Sequence, residues 1–174
     1  MTTPEELKKF IRDVPDYPQK GIIFRDITPL LGDKEVFSEA VDLMSKAWVD
    51  VKPDLVAAIE ARGFIPGAAM AVKLGAGLVP IRKTGKLPWR TVLETYDLEY
   101  GTDQLEVHED AVKSGQTVLI VDDVLATGGT ASAAVRLMRK LGAEVVGVQV
   151  LIELGYLSGR GRLEGVKLVS EIVY

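Results

Sequence analysis

The chain has 174 residues, 47% of them hydrophobic and 26% charged, enough to bury roughly two-thirds of the unfolded surface in one core. It has no cysteine and one histidine, His108, so disulfides, thiolate metal sites, cysteine nucleophiles and multi-histidine metal centres are excluded. A net charge of −4 gives no overall electrostatic footprint for nucleic acid.

The first segment, MTTPEELKKFIRDVPDYP, has no apolar signal-peptide core. Its Leu7, Phe10, Ile11 and Val14 recur at helical spacing, which predicts an amphipathic helix. Residues 34–49, KEVFSEAVDLMSKAWV, set Phe37, Val41, Met44 and Trp48 on one face of another helix. Four short apolar runs follow that read as buried parallel strands: LVAAI (55–59), GLVPI (77–81), TVLIV (117–121) and EVVGVQVLI (144–152). Helical patterns come after the first and third, IPGAAMAVKL (65–74) and TASAAVRLMRKL (130–141), the latter stopped by Gly142. No apolar run approaches the ~20 residues that cross a bilayer, so a cytoplasmic protein without a membrane partner is expected.

Strands alternating with helices predict an α/β fold with a mostly parallel central sheet flanked by helices, in a single domain over 1–174. Residues 83–108 break the pattern with a basic turn and two short β-like stretches, Thr91–Tyr96 and Gln104–Val107. An excursion of that length between sheet strands reads as a functional flap. Ligands of open α/β sheets bind beyond the carboxyl ends of the strands, which directs attention to 60–63, 82–86 and 122–130.

The last of these is the most informative. In VLIVDDVLATGGTASAAVRL an apolar strand runs into Asp122 and Asp123, and a small loop, Ala126, Thr127, Gly128, Gly129 and Thr130, opens a helix. Unpaired N–H groups and the helix dipole favour an anion there, and glycines allow close approach, so the loop suits a phosphate monoester. Two ionised aspartates only accept hydrogen bonds and suit a vicinal diol instead. Each half has a plain reading, a strand-turn-helix with Thr130 as N-cap or a solvated acidic turn. A nucleotide P-loop is absent, because Gly85-Lys86 is followed by Leu87. The dinucleotide fingerprint also fails after Gly75-Ala76-Gly77. Diol acceptors followed by a phosphate nest describe a ribose 5-phosphate.

VLIVDDVLATGGT resembles, along its whole length, the phosphoribosyl pyrophosphate motif of the type I phosphoribosyltransferases. KGIIFRDITPLL (20–31), EARGF (60–64), IRKTGKLPW (81–89) and YDLEYGTDQLE (96–106) are similar, in order, to segments of the adenine phosphoribosyltransferases. Pro66 and Trp89 depart from many relatives, at positions outside the motifs. The resemblance implies a purine salvage reaction in which adenine displaces pyrophosphate from phosphoribosyl pyrophosphate and AMP forms. It implies that Asp122 and Asp123 hold the ribose and residues 126–130 the 5-phosphate. Ala61 and Arg62, in a loop where relatives carry a cis peptide and Glu60–Ala61 is the place to look for one, and the cluster Arg82, Lys83 and Lys86 would face pyrophosphate. Arg62, Lys83 and Glu99 would carry catalysis, and Tyr100 would help close the flap over 83–108. The adenine pocket would form from Ile23, Phe24 and Arg25, in an N-terminal helix and hood over 1–33, opposed by Val124. Mg2+ held by substrate oxygens and water, with no direct protein ligand, and a homodimer are implied as well. His108 matches no role in the family. The same chemistry on another base, or a regulator that keeps the site without catalysis, are the competing functions.

Overall fold

The computed structural model describes residues 3–97 and 101–174, so Glu99 and Tyr100 lie outside the described residues. Its compact parts are two units, Met1–Leu43 and Met44–Tyr174.

In the first unit, helix α1 (Pro4–Lys8) starts from a capping box in which the Glu6 carboxylate accepts the Thr3 N–H at 2.8 Å. The helix is shorter than the apolar spacing predicts. Val14 lies instead in strand β1 (Arg12–Pro15), because a residue before proline is driven towards extended backbone. Strand β1 pairs antiparallel with β2 (Ile23–Asp26), setting Val14 opposite Phe24 and Asp13 opposite Arg25. Helices α2 (Thr28–Gly32) and α3 (Lys34–Lys46) follow, with Asp33 capping α3 through the N–H groups of Glu35 and Val36 at 3.0 and 3.1 Å.

The second unit is built on a seven-stranded sheet. In chain order its strands are β3 (Leu55–Ile59), β4 (Gly77–Lys83), β5 (Thr91–Asp97), β6 (Thr102–His108), β7 (Thr117–Leu125), β8 (Glu144–Glu153) and β9 (Leu168–Val173). They lie side by side as β5-β6-β4-β3-β7-β8-β9. The five strands from β4 to β9 are mutually parallel, and β6 and β5 extend the β4 edge antiparallel. The predicted flap is therefore a hairpin joined to the main sheet, with Arg82 opposite Glu106 and Lys83 opposite Leu105.

Side chains of a strand alternate between faces, and the two faces are filled differently. Ala57, Ile59, Ile81, Ile120 and Val148 join Ala134, Leu137 and Met138 of helix α5 (Gly129–Lys140) in one apolar cluster. On the other face helix α4 (Phe64–Leu74) approaches so closely that a Cβ on its Gly67 would stand 2.5 Å from the Ala58 Cβ. Trp48, fully buried, lies against Gly147 and donates its indole N–H to Gln149 at 2.7 Å. Among the described residues no helix is long and apolar enough to cross a membrane.

Candidate active site

Register explains how β7 exposes its acids. Pairing of β3 with β7 ends at Ala58 and Val121, whereas β7 continues along β8 to Leu125 opposite Glu153. Asp122 and Asp123 thus lie within the strand, just past its last pairing with β3 and not in a turn after it. The loop leaving β3 fills the neighbouring space. There Arg62 places Nε 2.7 Å from Asp123 Oδ2, and Gly63 is so near that a Cβ would stand 2.6 Å from Asp122 Oδ1. The Glu60–Ala61 peptide in this loop is cis.

Burial and the adjacent Asp123 charge push the Asp122 carboxyl well above the usual aspartate range. Asp123 is also raised by burial, with Arg62 pulling the other way. An anionic oxygen brought here would be repelled, whereas a hydroxyl donor would relieve the pair.

Beside the acids, a cavity of about 80 Å³ runs from Asp122 and Val124 along 126–131. Gly128 has φ +80° and no side chain caps α5, so the helix starts at Gly129 and Thr130 is not its N-cap. The loop is pressed from outside by a short 3-10 turn (Gly159–Leu163). A Cβ on Gly159 would stand 2.1 Å from the Ala126 carbonyl oxygen and 2.8 Å from the Gly128 nitrogen. Arg160 anchors that turn through Glu153, with Nε–Oε1 at 3.0 Å and Nη2–Oε2 at 2.5 Å.

The basic cluster at the end of β4 is organised by two acids for which the sequence reading gave no role. The Glu60 carboxylate, 7% exposed, accepts the Arg82 Nε–H at 3.1 Å and the Lys83 N–H at 2.9 Å, and pairs with the Lys86 ammonium. Burial opposes its charge, but these donors outweigh it and hold its pKa below the usual glutamate value. Buried Glu106 accepts the N–H groups of Lys86 and Leu87 at 2.9 Å each, fixing the turn that carries Gly85 at φ +84°. The Lys83 ammonium points the other way, to Tyr96 and Asp103. Glu60 sits next to the Ala-Arg-Gly loop, the one hint in the sequence. Nothing local marks Asp103, Glu106 or Gly159.

In the first unit, Phe24 meets Tyr17 edge to face, ring centroids 5.1 Å apart, and Arg25 pairs with Asp13. Ile23 is 44% exposed. His108 ends β6 opposite Thr91.

An acid pair, a glycine loop beneath a helix and a cation cluster, gathered at the carboxyl ends of parallel strands, define a protein that handles a phosphorylated sugar. The phosphoribosyl transferase domain model matches residues 33–172. An adenine phosphoribosyltransferase of Thermotoga sp. (strain RQ2) is 64% identical over 97% of this chain and 99% of its own. The crystal structure of adenine phosphoribosyltransferase from Thermoanaerobacter pseudethanolicus superposes with a TM-score of 0.96 at 51% identity, covering 99% of this chain and 100% of that one. The adenine phosphoribosyltransferase of Saccharomyces cerevisiae, complexed with an imino-altritol bisphosphate and adenine, gives a TM-score of 0.91 at 36% identity, covering 97% and 98%. The chain belongs to the phosphoribosyltransferase family and, within it, to the adenine phosphoribosyltransferases.

Proposed function

We propose that this protein is a purine salvage enzyme that transfers the 5-phosphoribosyl group from phosphoribosyl pyrophosphate to adenine, releasing AMP and pyrophosphate. One observation carries the reading: diol acceptors and a phosphate-sized loop cavity are contiguous on β7, while the cations lie on the neighbouring strand ends. The yeast relative, complexed with adenine and a sugar-like bisphosphate, supports both substrates.

The residues divide the work by chemistry. Asp122 and Asp123 accept the ribose hydroxyls, and the N–H groups and hydroxyls of 126–130 take the 5-phosphate. As the glycosidic bond breaks, negative charge grows on the departing diphosphate. Arg62, Arg82, Lys83, Lys86 and the backbone at Ala61 are the donors that answer it. Glu99 is the acceptor for the proton that adenine loses from N9 as the new bond to the sugar forms, and Tyr100 helps to close the flap against water. Phe24 stacks on the base with Ile23 and Arg25 beside it, and Val124, by the family resemblance, is a further apolar base contact.

Mg2+ belongs to the proposal through the family resemblance, as an ion carried on the diphosphate oxygens and water beside the Arg82 and Lys86 cations that Glu60 gathers. When bound, it neutralises charge on the leaving group. A homodimer belongs to the same proposal. Its support is the family resemblance alone. A cytoplasmic setting completes the proposal.

A base-selectivity assay tests it. The protein is incubated with Mg2+, phosphoribosyl pyrophosphate and one of adenine, hypoxanthine, guanine, xanthine or uracil, and pyrophosphate release is followed. Release with adenine alone, with AMP formed, is expected. Release with another base would overturn the adenine pocket. Binding of phosphoribosyl pyrophosphate without any release would make the chain a regulator.

A further inference from the structure

Lys83 stands apart from the other cations of the cluster. Its backbone N–H serves Glu60, but its ammonium turns to the opposite face of the sheet, towards the hairpin that forms the flap. Register puts the partners there. Tyr96 on β5 and Asp103 on β6 are direct cross-strand neighbours, and Lys83 on β4 faces Leu105, two residues along β6 from Asp103. The three side chains therefore share one face of three adjacent strands.

They close a triangle. The Lys83 ammonium donates to Asp103 Oδ2 and to the Tyr96 oxygen, and the Tyr96 hydroxyl donates to Asp103 Oδ2 at 3.2 Å. The ammonium also lies 5.0 Å from the Tyr96 ring centroid. An ammonium has three N–H groups, so this clamp uses two and leaves one. We propose that Asp103 and Tyr96 are positioning residues for Lys83: they fix its ammonium so that the remaining N–H meets a diphosphate oxygen, and they tie the base of the flap to that contact.

The proposal rests on the reading of Lys83 as a pyrophosphate-facing residue. Electrostatics support it: burial works against the charge, but Asp103 and Tyr96 outweigh it and hold the lysine pKa above its ordinary value, so the cation persists. A free lysine must lose the freedom of a long side chain on binding an anion, and a clamped one has already lost it.

The test uses Lys83→Met, Asp103→Asn, Asp103→Glu, Tyr96→Phe and the pairs Lys83→Met/Asp103→Asn and Lys83→Met/Tyr96→Phe, made in the full chain. KM for phosphoribosyl pyrophosphate is measured forwards and KM for pyrophosphate in reverse, beside Tm. Asp103→Asn should raise both KM values about ten-fold and lower kcat too, since Lys83 also answers the charge that grows on the leaving diphosphate; Tyr96→Phe should have a smaller effect in the same sense, and Asp103→Glu should recover part of the loss. In the Lys83→Met background neither change should add anything, because the positioned group is gone. Should Asp103→Asn fail to fold, Tyr96→Phe alone and with Lys83→Met gives the same comparison. Single variants that shift Tm but leave both KM values unchanged, lower them, or add their full penalty to Lys83→Met would overturn the proposal. If Lys83→Met itself leaves both KM values untouched, the pyrophosphate assignment of Lys83 is what has failed.

Discussion

Arg62 Nε lies 2.7 Å from Asp123 Oδ2, so the guanidinium serves the second of two adjacent acids and reaches the first only weakly. Asp122 is left half-buried beside another carboxylate, and desolvation together with that charge raises its pKa well above the aspartate range. The arrangement is poor for stability and suited to a diol.

That imbalance predicts opposite effects of Asp122→Asn on stability and binding. A carboxyl with a raised folded pKa holds more protons folded than unfolded, so stability falls as pH rises from the usual aspartate range through the folded value. The amide removes that cost and keeps an oxygen for the Asp123 N–H, now accepted by Asp122 Oδ1 at 2.8 Å. At pH 7 the Tm of Asp122→Asn should rise by about 3 °C, while phosphoribosyl pyrophosphate binds about ten-fold more weakly. Thermal melts across pH check the sign. The Tm gain should vanish below the aspartate range, and a gain that persists there would have another origin.

Sequence and structure agree where the signal is local. The runs 55–59, 77–81, 117–121 and 144–152 became β3, β4, β7 and β8, and the acid pair and glycine loop fell at the predicted end of the sheet. Strand β9 (Leu168–Val173) went unread, as did the β1–β2 ribbon, because neither carries a clear alternation of apolar and polar residues. The missing site residues share another cause. Glu60 meets Arg82 and Lys86 across 22 and 26 residues, and Glu106 meets the turn after β4 across 19 and 20. Such partnerships are set by strand order, which no spacing along the chain encodes.

Glu60 is the residue on which the cation cluster converges, so Glu60→Gln should harm both stability and substrate binding. Gln keeps one acceptor oxygen, which can serve Arg82 and the Lys83 N–H on one side or Lys86 on the other but not both, so its NH2 group would face donors. A loss of about 2–4 kcal/mol at pH 7 is expected, with a raised KM for pyrophosphate. The sign of the pH dependence follows from the lowered folded pKa: the stabilisation is fully present above the ordinary glutamate value and is lost as pH falls through the folded one. Urea unfolding of both proteins over a pH series should show the gap holding through the glutamate range and closing below it. A gap independent of pH would mean that packing, not charge, is what Glu60 supplies.

Gly159 tests whether the phosphate loop needs support from behind. The atoms that a Cβ would strike, the Ala126 oxygen at 2.1 Å, the Gly128 nitrogen at 2.8 Å and the Thr127 carbonyl carbon at 2.9 Å, are all backbone, so no rotamer change relieves them. The contact is mutual, since a Cβ on Gly128 would stand 2.3 Å from the Gly159 oxygen. Gly159→Ala must therefore push the loop or the turn away, at about 1–3 kcal/mol of stability. If the loop moves, N–H groups poised for the 5-phosphate lose their geometry, and KM for phosphoribosyl pyrophosphate should rise about ten-fold or more. Gly161→Ala is the control, because a Cβ there meets nothing within 4 Å. Steady-state kinetics beside thermal melts separate the outcomes. A less stable Gly159→Ala enzyme with an unchanged KM would show that the turn, not the loop, yields.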